Sequence, residues 1–75
     1  MTNIQEKLNA HKEAMDRAYV ALIAETVIER NVILNCQDPV EEAEGYIYLD
    51  ALENRIRQIE KCLAFISDSM LYMSN

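Results

Sequence analysis

Leu49, Leu52, Ile56, Ile59, Leu63, Ile66 and Met70 recur in alternating steps of three and four residues, and Met73 continues the series. No polar residue interrupts it. This spacing predicts one long helix whose apolar seam lowers free energy only when another helix covers it. The first half of the chain carries a second stripe. With residues placed at 100° steps, Ile4, Leu8, Met15, Tyr19, Leu22 and Ile33 fall within about 60° of one another. Two stripes on two helices of similar length predict an all-α fold, an antiparallel two-helix hairpin packed in the manner of a coiled coil.

Local signals bound the elements. Asn3 with Glu6, or Thr2 with Gln5, has the spacing of a capping box and starts the first helix. No breaker follows until Asn35. Asp38 before Pro39, with Glu41 beyond, fits the N-cap, N1 and N3 positions of the second helix. The expected organisation is a single domain over residues 1–75, with helices at about 3–35 and 39–73 joined by a turn at 36–38. Gly45 falls inside the second helix at a cost of about 1 kcal/mol against Ala, and the sequence leaves open whether the helix kinks there, starts later near Tyr46 or runs straight through.

Both helices carry more apolar surface than one seam uses. On the first, Val20, Ile23, Val27 and Leu34 form a second row beside the stripe. On the second, with Leu49 at position a, the g and c positions add Tyr48, Ala51, Cys62, Phe65 and Tyr72. Each aromatic ring buries on the order of 150 to 250 Å² when covered, too much for a helix already occupied by the seam. Val20, Ile23, Val27, Leu34, Tyr48, Phe65 and Tyr72 are therefore the expected partner-binding surface, and the hairpin is expected to be completed by a partner or by dimerisation.

Composition narrows the partner. Half the residues are apolar, 51%, with one Gly and one Pro, which excludes a disordered tail. A net charge of −6 repels phosphate backbones and anionic lipid, and the longest apolar run, Tyr19 to Ala24, is far short of the roughly 20 residues of a spanning helix. Neither nucleic acid nor membrane insertion is expected. Cys36 and Cys62 would lie roughly 35 Å apart along a continuous helix, beyond disulfide reach. Reduced thiols and the lack of a leader pattern predict a cytoplasmic protein.

No chemistry is announced. A single Gly excludes phosphate-cradling loops, one His with two distant Cys cannot build a zinc site, and His11 lacks the partners of a catalytic triad. His11 reads as a core-edge residue, and the Glu25–Glu29 pair as a solvated face beside Arg30. The chain is thus read as no enzyme, without metal or cofactor. The acidic residues Asp38, Glu41, Glu42 and Glu44 complement the helix macrodipole, and also leave open an acidic inhibitor of a basic-site enzyme or DNA-binding protein. A self-associating four-helix-bundle adaptor is a further alternative.

The hairpin length, the Gln37-Asp38-Pro39 turn and the stretch reaching Leu49-Asp50-Ala51-Leu52-Glu53 resemble the small co-chaperones of the type III secretion needle subunit. That resemblance implies a cytoplasmic helical hairpin that pairs with a tetratricopeptide-like chaperone. Together the two would keep the needle subunit monomeric and export-competent, by masking, within a virulence-linked protein transport system. It carries no catalytic residues.

Overall fold

The computed structural model describes the backbone of residues 4–74 and the side chains of residues 4–72. The capping positions Thr2 and Asn3 and the seam position Met73 lie outside the described side chains. Two helices, α1 (Ile4–Asn35, 32 residues) and α2 (Pro39–Ser74, 36 residues), fold back on each other as an antiparallel hairpin measuring 57 × 15 × 13 Å.

The turn is fixed by short-range bonds. The Asp38 carboxylate accepts from the Val40 amide at 2.9 Å, and the Asp38 carbonyl accepts from the Glu42 amide at 2.9 Å, so Asp38 caps α2 while Pro39 opens its first turn. At the end of α1, the Asn35 side chain donates to the Asn31 carbonyl at 2.8 Å and the Cys36 amide to the Ile33 carbonyl at 3.1 Å. The second satisfies one of the carbonyls that the ending helix leaves without intrahelical partners.

Gly45 does not delay the start of α2, which begins at Pro39. The helix runs through it, and no glycine has a positive φ among the described residues. The reason for glycine is contact: a Cβ at position 45 would lie 2.8 Å from Ile33 Cγ1 and 3.1 Å from Glu29 Oε1. Gly45 occupies the next seam position before Leu49, beside the turn, where the Ile33 side chain fills the space a Cβ would take.

Along the seam of α2, Leu52, Ile56 and Ile66 are buried and Leu49, Ile59, Leu63 and Met70 half-buried. That of α1 differs in composition. Steps of four and three from Leu8 pass through Lys12, Met15, Tyr19, Leu22, Thr26 and Glu29 to Ile33, and all are half-buried or buried. Ile4 falls outside this line and is 63% exposed, because the heptad puts Gln5 at the preceding seam position. Thr26 is only 5% exposed, and its hydroxyl donates to the Ile23 carbonyl at 2.7 Å, so its polarity is satisfied within its own helix. Among the described residues, just Ile33, Leu52, Ile56 and Ile66 form the buried apolar core.

The exposed area is 5852 Å² for 8.7 kDa, against about 4,700 Å² for a compact globule of that mass. The hairpin therefore leaves wet much of the surface that a globular chain of this size would hide.

Gly45→Ala tests the close approach. Helix propensity alone favours Ala by about 1 kcal/mol, but Ile33 must shift to admit the methyl group, so a net loss of about 1 kcal/mol is expected in urea melts followed by circular dichroism. Combined with Ile33→Ala, it should cost less than the two single losses added together. Net stabilisation by Gly45→Ala alone would refute the contact argument.

Candidate protein-docking faces

With Leu8 at position d of α1 and Leu49 at position a of α2, the seam register leaves two broad faces. In an antiparallel pair the e and b positions of both helices share one face, and the g and c positions share the other. Three observed contacts place the residues. Arg30 donates to Glu53 at 2.8 Å across the e edges. Tyr48 donates to Glu25 at 3.2 Å across the g edges, and His11 Nε2 lies 3.8 Å from Cys62 Sγ on that same side.

This geometry divides the expected partner-binding surface. Val20, Ile23, Val27 and Leu34 line the e/b face of α1, whereas Tyr48, Phe65 and Tyr72 belong to the g/c face of α2. All seven are exposed, but the two groups point away from each other and cannot form one contact patch. The reason is that the α1 row flanks position a while the α2 row flanks position d, and antiparallel packing sends these flanks to opposite sides of the hairpin.

The e/b face is apolar on one bank and charged on the other. Leu34 shares a groove of about 270 Å³ with Ile33, Arg30, Tyr46 and Leu49 near the turn. Ile23 and Val27 line an adjoining groove whose opposite bank is Glu53, Arg57 and Glu60. Tyr46, 54% exposed, is a lip of this face that the heptad of α2 puts at position e. Sequence reading omitted it, although labelling both helices at once would have found it.

The g/c face is smoother. Ala18 and Ala21 floor a trough with Met15 and Leu22, and Arg55, Gln58 and Ile59 form its other bank. Exposed Ile28 and Val32 extend the face toward the turn, and Phe65 and Tyr72 extend it toward the open end. His11 is exposed on this flank and does not enter the seam, and Cys62 is half-buried.

Among the described residues no three His, Cys, Asp or Glu side chains converge on a metal position, and no described helix is long and apolar enough to cross a membrane. The acidic run is engaged in the turn: Asp38 caps α2, Glu41 and Glu42 occupy its first turn, and Cys36 Sγ lies 3.4 Å from the Asp38 carbonyl.

The phenol of Tyr48 is held above its ordinary range, first by its hydrogen bond to Glu25 and then by the negative charge of that carboxylate. A folded value raised above the unfolded one contributes stability that is present below the unfolded value and lost as pH rises through the folded one. The bond therefore holds at neutral pH and loosens only in alkali, above about pH 10. Phenolate absorbance should show Tyr48 titrating after a free phenol, and Glu25→Gln should bring its midpoint down; an unchanged profile would sever the pair. No protein-family model, curated protein or solved structure matches this chain, so its function is argued from the two faces.

Proposed function

We propose that this chain is a small co-chaperone subunit or adaptor that seats a helix of a helical-repeat partner on its e/b face. The observation that carries this reading is the exposed row of Val20, Ile23, Val27 and Leu34, crossed by Arg30 between the last two, closed at the turn by Tyr46 and backed by the seam. Apolar residues one turn apart on a helix are the pattern by which amphipathic helices dock.

The charged bank selects the occupant. Asp50, Glu53 and Glu60 outnumber Arg57 along that edge of α2, and Arg30 neutralises only Glu53. A fitting helix thus presents an apolar stripe to α1 and basic residues to α2. Masking is the mechanism: each partner covers apolar surface that the other would expose. The turn and second-helix resemblance noted above narrows the partners to a tetratricopeptide-like chaperone and, through it, a type III secretion needle subunit held monomeric in the cytoplasm. In the acidic-inhibitor alternative Asp38 is already engaged in capping α2, and the apolar row of α1 would have no role.

Co-expression with a tetratricopeptide-like chaperone and a needle subunit of a type III secretion system tests this. Val27→Ser combined with Leu34→Ser should weaken the purified heteromer by about a hundredfold or more while leaving helix content intact, since both side chains are exposed. Phe65→Ser, on the other face, should change affinity by less than about threefold. The opposite pattern, or no complex at all, would refute the assignment.

A further inference from the structure

We infer that the g/c face is a self-association surface, on which two copies pack about a two-fold axis parallel to the helices to make an all-antiparallel four-helix bundle. The register of the hairpin carries this inference. Fixed by the Arg30–Glu53, Tyr48–Glu25 and Ile33–Gly45 approaches, it sets the height of every α1 residue relative to α2. A two-fold along the hairpin preserves height, so each α1 residue meets the level α2 residue of the second copy.

The pairings that result are complementary in charge and size. Glu25 and Arg55 lie within about 3 Å of the same height, so each Glu25 meets Arg55 of the second copy, and the reverse pair forms by symmetry. Glu25 uses Oε1 for Tyr48 and keeps its second oxygen available, and Arg55 holds no ion pair among the described residues. Phe65, 71% exposed, comes level with Ala14, and exposed Ile28 with Ala51, so large side chains oppose small ones in both directions.

The e/b face fails the same operation. It would set Val20, Ile23 and Val27 of one copy on Asp50, Glu53, Arg57 and Glu60 of the other, stripping water from charges that gain no partner. The footprint of one broad face, 57 by 15 Å, is on the order of 800 Å² per copy, the size of a standard stable interface. The second copy is therefore assigned to the g/c face, independently of what occupies the e/b face.

Sedimentation equilibrium of the full chain at about 100 µM should show a dimer. Ala21→Arg, a substitution at an exposed trough residue, should abolish it with helix content unchanged. Glu25→Arg and Arg55→Glu should each weaken the dimer by about tenfold, and the two combined should restore it to within about threefold. A monomeric chain, a dimer indifferent to Ala21→Arg, or a charge swap without rescue would overturn the inference. Loss of the dimer through Val27→Ser and Leu34→Ser would do so as well, by moving self-association to the other face.

Discussion

A helix can be covered by one neighbour along only one line, and this geometric limit shapes everything else in the hairpin. The two chains of side chains that meet along the seam bury four apolar residues well, Ile33, Leu52, Ile56 and Ile66, and leave the flanks of both helices in water. Flanks rich in Glu, Lys and Gln would make that arrangement complete. Here they carry Val20, Val27, Ile28, Val32, Leu34, Tyr46, Phe65 and Tyr72 instead, all at least half exposed. A chain of this composition lowers its free energy further only by adding helices to its sides.

The seam itself is unequal. The line on α2 is apolar from Leu49 onward, whereas that on α1 admits Lys12, Thr26 and Glu29. Thr26 satisfies its hydroxyl on its own helix, and the register sets Lys12 level with Ile66, where an aliphatic stem can lie over an apolar neighbour while its ammonium reaches water. Such a seam gives up apolar burial and gains register. Gly45 against Ile33 sets the same register by shape, and Arg30 with Glu53 adds to it by charge, although an exposed pair contributes little stability.

These facts explain which parts of the structure were legible. The α2 seam, the Asp38-Pro39 start and the short turn are written in local spacing, which a single helix reveals by itself. The polar seam positions of α1 were not, because hydrophobic periodicity cannot count Thr26 or Glu29 as buried. The reason for Gly45 was hidden on a related ground: its backbone permissiveness is visible in sequence, but the side chain it makes room for, Ile33, is twelve residues away on another helix. The split of the apolar surface needed one step more. Each row is evident on its own helix, yet whether two rows share a face depends on the relative sense of the helices, a property of the pair.

That split matters more for function than the total apolar area does. Had both rows shared one side, a single partner could have covered the molecule, and self-association would have competed with it directly. On opposite sides they answer to different rules. The e/b side sets an apolar bank beside a net-negative one and so disfavours its own copy, whose apolar bank would strip water from carboxylates without pairing them. The g/c side has few charges in its middle, and Glu25 and Arg55 are arranged to match under a two-fold. Two faces with opposite preferences allow a second copy and a foreign helix to be held at once. A bundle formed on one face would also stiffen the hairpin that presents the other, so self-association can support partner binding without blocking it.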